Sequence, residues 1–496
     1  MGRVFNKVRK LLLGGVCLGG VILTHGGCAL LVFDELSDMR DGGGGSPSNG
    51  GAVVSGAKFG NSGDQVVIGA AVNTLGSVVI AGMTLDNSMQ DVGCDVAAKG
   101  GLDIFGTWVN PDDLKVQCPP SRLVGGMGAD VARGIAANPV SGGVGIVGFS
   151  TGDFDCGMGG LTNGGGRDVV VAAFGGNTCL WQKSFGGADD QEGQAIAFDS
   201  AGAAYIGGRF KGTVVLEQPF GSSAGFDAFI AKLPVGGDAS WSVQVGKDGD
   251  QEVHAIAVPE EDKIIVGGQF SETISFSIPG PMVTLTPGND ALYVASLDAK
   301  NNACSWLVKI AEGPPGDTSP LSLAVAGISD IFVAGGFHSR TLFPDDPKCK
   351  LINDTQAEDL FVAKLNINGD CHGSRRFGEA KAMVAEGQGA TAIAVDAVSN
   401  VYVTGQFTGS ISFGENHEFQ SLGQTDAFVL KLNSAGEHVW SNVISGTGIE
   451  FGNALVLDAS GEFVFVAGTF SAGPLNLGEG PLTPTSSDIF LAKLTR

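Results

Sequence analysis

The sequence predicts an all-β fold: a seven-bladed β-propeller of four-stranded antiparallel blades, its ring closed by an N-terminal strand. Three observations carry this expectation. Glycine supplies 80 of 496 residues while charged residues are only 16%, against usual shares of about 7% and 25%. Two unrelated sequence anchors each recur seven times. Every complete repeat also holds four short β-branched or aromatic runs set between turn residues, the pattern of an all-β body.

Composition narrows the class first. Glycine without a G-X-Y period is not collagen, and 43% hydrophobic residues is too high a share for a disordered chain. Beyond the first 33 residues no stretch sustains a 3.6-residue apolar period. The formal net charge is −23. With no Lys/Arg cluster outside the leader, a chain this acidic repels phosphate backbones, and nucleic acid is excluded as a partner.

The first anchor is a β-branched or aromatic run ending in glycine. It appears at Val79 to Gly82 and Ile146 to Gly148, then at Tyr205 to Phe210 and Val266 to Phe270. It returns at Val333 to Phe337, Tyr402 to Phe407 and Val466 to Phe470. The second anchor is Asp followed by an apolar strand, at Asp103, Asp168, Asp227, Asp290, Asp359, Asp426 and Asp488. Both recur every 59 to 70 residues, so each marks one copy of the same structural unit. In the sixth unit the four strand signals are Ala392 to Val395, Val401 to Phe407, Phe428 to Leu432 and the stretch around Trp440. Four strands repeated seven times make a series of blades.

The seventh unit stops at Arg496 without a Trp-type fourth strand, and residues 52–60 look like an unattached copy of it. Pairing these residues with the last blade removes open sheet edges.

The N-terminus reads as a targeting element. Arg3, Lys7, Arg9 and Lys10 precede an apolar run from Leu11 to Leu23, short for a spanning helix and suited to a secretory signal. Leu23-Thr24-His25-Gly26-Gly27-Cys28 resembles the lipobox of bacterial lipoproteins, in which small residues precede an invariant, lipidated Cys. Gly26, Gly27 and Cys28 match that pattern; His25 stands where the family has Leu. Lipidation at Cys28, signal-peptidase cleavage near Ala29, and retention of Leu11 to Phe33 as an uncleaved anchor all remain open. Export is common to the three. The expected organisation is a signal peptide over 1–27, a Gly/Ser-rich tether over 28–51 and the propeller over 52–496. The expected location is the cell envelope, anchored to the membrane through the N-terminal lipid or anchor, at the outer membrane or cell surface.

The pattern D-A-F-V-x-K-L, a following Trp, then A-I-A-V-D and V-Y-V-T-G is similar to that of the bacterial β-propeller-repeat (SBBP repeat) family over roughly residues 52–496. Units three to seven match best, and Ala326 replaces the turn Asp in unit five. The resemblance implies an exported, surface-associated propeller and carries no catalytic motif.

The repeated Asp before a strand bonds local backbone N–H groups and fixes a turn, and the same reading applies to Asp199, Asp396 and Asp458. Trp181, Trp241, Trp306 and Trp440 recur in register and are read as blade-packing residues. Three cysteine pairs bracket the same strand in three units: Cys94 with Cys118, Cys156 with Cys179, and Cys349 with Cys371. Such recurrence points to disulfides in an oxidising compartment, provided the segment before the strand folds back to bring the Cα atoms within about 7 Å. Cys304 sits at the second position of its unit without a partner and is expected as a buried thiol. Two acidic loops, Asp189, Asp190 and Glu192, and Asp248, Asp250 and Glu252, offer oxygen ligands for calcium but lack the spacing of a dedicated loop. No other cofactor is implied.

Gly143 to Gly148 matches GxGxxG but lies inside a repeat strand with no following helix, which removes the dinucleotide reading. No GxSxG nucleophile elbow between a strand and a helix, no HExxH and no CxxC occurs, and inner repeat positions read as Ala, Ile and Val with no convergence of His, Arg, Glu or Tyr. The chain is therefore expected to bind or scaffold a protein or glycan rather than to act as an enzyme. A lyase or hydrolase with its site at the central channel, and a calcium-dependent adhesin, are the alternatives.

Overall fold

The computed structural model describes residues 50–496 apart from 61–62, 85–87, 90–95, 98–99, 119–120, 177, 223–224, 247, 279, 281–282, 285–289, 302, 315–320, 338–339, 354–356, 379–386, 415–416 and 479. The leader, Cys28, the tether up to residue 49, and Cys94 lie outside the described residues. Seven antiparallel sheets carry the four strands of a blade in order from the axis outward. The innermost strands are Gln65–Val72, Asp130–Ala137, Gln191–Phe198, Gln251–Glu260, Leu321–Ala326, Gln388–Val395 and Ile449–Leu457. Blades 1 to 6 each use four strands in chain order. The fold is the seven-bladed β-propeller that the repeats predict.

Blade 7 takes its outer strand from the other end of the chain. Val53–Phe59 pairs antiparallel with Ser487–Thr495, from Val53 opposite Leu494 to Phe59 opposite Ile489. Lys58 Nζ lies 2.6 Å from Asp488 Oδ2. Phe59 is buried among Val67, Phe105, Val456 and Phe465, which belong to blades 1 and 7. Burying such a ring contributes about 1.5–3 kcal/mol. The turn that elsewhere joins a third strand to a fourth is here made by two segments far apart in sequence. Gly51 N–H donates to the Thr495 carbonyl at 2.8 Å, and Thr495 N–H donates to the Ala52 carbonyl at 2.9 Å.

The recurrent tryptophans explain why a glycine must stand at this point. Gly51 has φ +84°, and a Cβ added to it would lie 2.5 Å from Trp440 Cε3 in blade 6. Gly237, in the corresponding turn of blade 3, has φ +85° and stands at the same 2.5 Å from Trp181 Cε3 of blade 2. Each of these tryptophans thus packs across a blade boundary onto the next blade's turn. The lysine of the D-A-F-V-x-K-L anchor is also repeated for a reason. Lys232, Lys364 and Lys431 lie 5.1, 5.4 and 5.1 Å from the ring centroids of Tyr205, Phe332 and Tyr402 on the neighbouring strand, a cation–π contact.

The anchor aspartates are turn formers, as expected, and something more. Asp168 Oδ2 accepts from Gly164 N–H at 2.6 Å, Asp426 Oδ2 from Leu422 N–H at 2.7 Å, and Asp488 Oδ2 from Thr485 N–H at 2.9 Å. Each faces the start of the next blade's inner strand. At the junction of blades 3 and 4 a Cβ on Gly246 would meet Gln251 Oε1 at 2.5 Å and Asp227 Oδ1 at 2.6 Å. Gln65 with Asp488 and Gln388 with Asp359 repeat that arrangement around Gly60 and Gly378. The glutamine amides tie down their own blades: Gln251 Nε2 donates to the Thr273 carbonyl at 3.1 Å, and Gln388 Nε2 to the Ser410 carbonyl at 2.9 Å.

The junction of blades 6 and 7 departs from this pattern. Glu450 stands at the position that Gln65, Gln191, Gln251 and Gln388 hold at their junctions, fully buried beside the equally buried Asp426. Glu450 Oε2 accepts from Gly446 N–H at 3.0 Å, while Glu450 Oε1 and Asp426 Oδ1 are buried with no hydrogen-bond donor among the described residues. Two carboxyl groups buried side by side resist ionising together, so one of them holds a proton. Burial first, and the Asp426 carboxyl second, push Glu450 up to about 8.

Candidate functional site

The channel is where strands of all blades meet, and its walls are irregular. Six inner strands carry a one-residue bulge, at Ile68, Arg133, Gln194, His254, Thr391 and Asn453. A bulge leaves its extra residue out of the ladder and re-aims the side chain. Three of these residues, Arg133, Gln194 and His254, come from consecutive blades and are buried. They join a chain of charges. Arg167 Nη1 donates to Glu192 Oε1, and Arg133 Nη2 lies 4.0 Å from Glu192 Oε2. Arg209 bridges blades 3 and 4, with Nη2 3.1 Å from Glu192 Oε2 and Nη1 2.5 Å from Glu252 Oε1. Glu252 Oε2 then accepts from Gln194 Nε2 at 3.1 Å and lies 3.3 Å from His254 Nε2. Burial opposes ionisation of Glu252, but the His254 hydrogen bond and the Arg209 charge outweigh it and hold the carboxyl down at about 2.

This convergence of Arg, Glu and His corrects the expectation that none exists. The physical reason is the bulge: it turns one residue per inner strand out of the alternation from which inner positions read as Ala, Ile and Val. A signal was present. A polar residue followed by a small residue and then Ile or Leu recurs at Arg133-Gly134-Ile135, Gln194-Ala195-Ile196, His254-Ala255-Ile256, Thr391-Ala392-Ile393 and Asn453-Ala454-Leu455. The arrangement suits cohesion better than catalysis. Both carboxylates are buried and clamped by guanidinium groups, and the lowered Glu252 is not poised to exchange a proton near neutral pH.

The accessible feature lies at the opposite end of the channel, on the face made by the turns between inner and second strands. There a depression of about 520 Å³ is lined from five blades, by Ser200, Pro259, Ile328, Ala397 and Ala459 among others, and by Arg496. Its turns are held rigid by side-chain-to-backbone bonds. Asn73, Asn138, Asp199 and Asp396 each accept from the N–H two residues on, at 2.9 to 3.1 Å. They are also linked to one another. Tyr205 Oη donates to Asp262 Oδ1 at 3.0 Å, Arg496 Nη2 lies 2.8 Å from Asp396 Oδ2, and Arg496 Nε donates to Tyr402 Oη at 2.9 Å.

At the tip of these turns, two residues past the turn-forming position, stand Leu75, Val140, Ile328 and Val398, exposed by 80, 63, 59 and 71%. A side chain of this type left in water at four of seven equivalent positions is the unusual feature of the face.

The six acids considered for calcium are dispersed by the fold. Glu192 and Glu252 belong to the charge chain. Asp190 Oδ1 accepts from Arg167 N–H at 3.2 Å, and Asp250 Oδ1 from Phe226 N–H at 2.8 Å. The Asp248 carbonyl accepts from Gln251 Nε2 at 2.6 Å, and Asp189 sits in the connection into blade 3. Among the described residues no three His, Cys, Asp or Glu side chains gather as a metal site.

Two of the three predicted cysteine pairs form. Cys156 bonds Cys179 and Cys349 bonds Cys371, with Cα atoms 6.0 and 6.3 Å apart, and Cys118 is also in a disulfide. The segment before the third strand folds back along the blade, so its cysteine reaches the start of the outer strand. Cys304 occupies that same outer-strand position opposite Leu297, as Cys371 does opposite Leu365. It is a buried free thiol, pushed up to about 12 by burial. In blade 6 the position is His438, opposite Leu432, and its ring stacks on His417 of the folded-back hairpin with centroids 3.9 Å apart.

No family profile matches the chain, and no curated protein does. Solved structures resemble it in outline. The Pan2 WD40 domain of Neurospora crassa is 12% identical, with 87% of this chain and 89% of that one covered and a TM-score of 0.42. A protein of unknown function from Dyadobacter fermentans is 9% identical over 90% and 100% of the two chains, with a TM-score of 0.39. A europium-containing methanol dehydrogenase is 9% identical over 89% and 92%, at a TM-score of 0.35. Blade count and closure rest on the sheets themselves.

Proposed function

We propose that the protein is an exported, membrane-anchored propeller of the cell envelope that binds a protein or glycan and does not transform it. The observation that carries the reading is the turn face: an open depression ringed by exposed aliphatic tips on rigid turns, while the channel's charged groups are buried and mutually paired. Rigid presentation of apolar side chains lowers the ordering cost of association. Disulfides agree with an oxidising compartment, and the leader with export and with lipid attachment at Cys28. The repeat pattern supports placing the chain with the bacterial β-propeller-repeat proteins.

Two measurements test this. Radiolabelled palmitate should enter the full chain in a bacterial host and be lost in Cys28→Ser. A photo-crosslinker attached at Val398→Cys should yield discrete adducts in intact cells, and one at Leu422→Cys, exposed at the start of a third strand on the opposite face, should not. Equal labelling from both positions would defeat the assignment of the face.

A further inference from the structure

We infer that the occupant of the turn face is a polypeptide segment carrying both aliphatic side chains and Lys or Arg, a conclusion that rests on the binding reading above and narrows it. Three features of the mouth select this chemistry. First, its charge is one-sided. The lining holds Glu260, Glu261, Asp396 and Asp458 against the single guanidinium of Arg496, and that group is already engaged with Asp396 at 2.8 Å. Glu260 and Glu261 are exposed and form no ion pair among the described residues. Among the described residues the Asp458 carboxylate accepts Ser460 O–H and Phe463 N–H and no cation. The cation nearest this stretch in sequence is Lys263, opposite Glu260 across the turn.

Second, the apolar surface is larger than the depression. Leu75 and Val140 extend it over blades 1 and 2, and Val235, 78% exposed, adds a tip from a third-to-fourth-strand turn on the same face. A ligand covering the ring must therefore be macromolecular. Third, among the described residues no aromatic ring lines the depression. Sugars are commonly held on aromatic faces, whereas aliphatic tips fit aliphatic side chains, so the surface favours a protein over a glycan. A net charge of −23 opposes docking of a second copy. A bilayer is disfavoured by the same charge and by the absence of Lys, Trp or Tyr among the lining residues. Complementary charge raises the association rate and rejects acidic competitors, while the apolar contacts hold the complex.

The test uses the full chain in detergent and three synthetic peptides of equal length, built from Lys and Leu, Lys and Ser, or Glu and Leu. Vesicles of phosphatidylethanolamine and phosphatidylglycerol form a fourth arm. Binding is followed by fluorescence anisotropy between 50 and 300 mM salt, at about physiological pH and above. The Lys/Leu peptide should bind, and Ile328→Ser/Val398→Ser should weaken it at least ~10-fold, as for two lost apolar anchors. Glu260→Gln/Glu261→Gln should weaken it and flatten its salt dependence. Met127→Ser/Leu422→Ser on the other face, both exposed in connections that lead into an inner and a third strand, should change nothing, and all variants should keep the wild-type melting temperature.

Equal binding of Lys/Ser or Glu/Leu, indifference to the mouth substitutions, or binding of vesicles through Ile328 and Val398 would each overturn the inference. If Val398 crosslinks form in cells but no peptide binds, the partner chemistry is wrong and the binding reading stands. If neither occurs, both fall.

Discussion

Replacing Glu450 by Gln should abolish a pH dependence that a single proton imposes on the joint between blades 6 and 7. In the folded protein burial and the adjoining Asp426 raise Glu450 from its ordinary 4.5 to about 8. The native state therefore keeps a proton that the unfolded chain has released. For an acid with a raised folded pKa, the stabilising contribution is whole below about 4.5. It declines as pH climbs and is gone above about 8. The slope reaches about 1.4 kcal/mol per pH unit. Over this window it sums to at most roughly 4–5 kcal/mol, and about 2 kcal/mol once water and local relaxation accommodate the charge.

A glutamine at this position has no proton to lose, and its amide can donate to Asp426 while its carbonyl accepts from Gly446 N–H. An unfolding entropy of about 2.1 cal/mol/K per residue makes 1 kcal/mol worth roughly 1 °C in a body of this size. Differential scanning fluorimetry should therefore find the two proteins melting together at pH 5 and the variant about 2–5 °C higher at pH 9. Parallel curves across that range would refute the retained proton. Gln251→Glu, which sets a carboxyl beside Asp227, should create the same dependence at the junction of blades 3 and 4.

Other outcomes follow from the rest of the structure. Arg209→Ala leaves Glu192 and Glu252 buried without their bridging cation and should cost about 3–5 kcal/mol in denaturant titration; a loss below ~1 kcal/mol would show that water replaces the guanidinium. Gly51→Leu forces a side chain into Trp440 at a left-handed position, and deletion of residues 50–59 strips the outer strand from blade 7. Both should lower the melting temperature and promote aggregation, and an unchanged melting profile would contradict strand closure. His417→Cys/His438→Cys places thiols where blades 2 and 5 have disulfides. Oxidation should stabilise it by about 2–3 kcal/mol, read as loss of titratable thiol with a raised melting temperature, whereas persistently free thiols would refute the equivalence.

What was legible in the sequence is what the blade repeats. The anchor aspartates, the Gly-ended second strands and the lysine near the end of the third strands recur because every blade meets the same neighbours. Even the unattached strand at 52–60 could be matched to the gap after Leu494. The paired cysteines were legible for the same reason, although only the folded chain shows the hairpin turning back to bring Cys349 to Cys371. What repeats in sequence but acts between blades was harder to see. Trp181 and Trp440 read as packing within a blade, yet each presses on a glycine of the next one. Hardest were residues whose meaning comes from departing from the repeat. Arg133, Gln194 and His254 converge only because a bulge turns them, and Glu450 differs from Gln251 by one group whose proton depends on a neighbour 24 residues upstream. The tips Leu75, Val140, Ile328 and Val398 are individually ordinary; their shared place on one face is a property of the ring.

The split turn between Gly51 and Thr495 also sets a timetable. The strand Val53–Phe59 is the first part of the propeller to be synthesised, and its partner, Ser487–Thr495, is the last. Lys58 must find Asp488 across 430 positions of chain, and contacts so distant in sequence form slowly. Until Ser487–Thr495 is made, the first strand has no ladder and blade 7 has no outer edge. Blades 1 to 6 can mature in turn as each is completed, but the circle is sealed in one late event. A chain cut short by a dozen residues would hold six good blades and still present two open ends to every similar chain nearby.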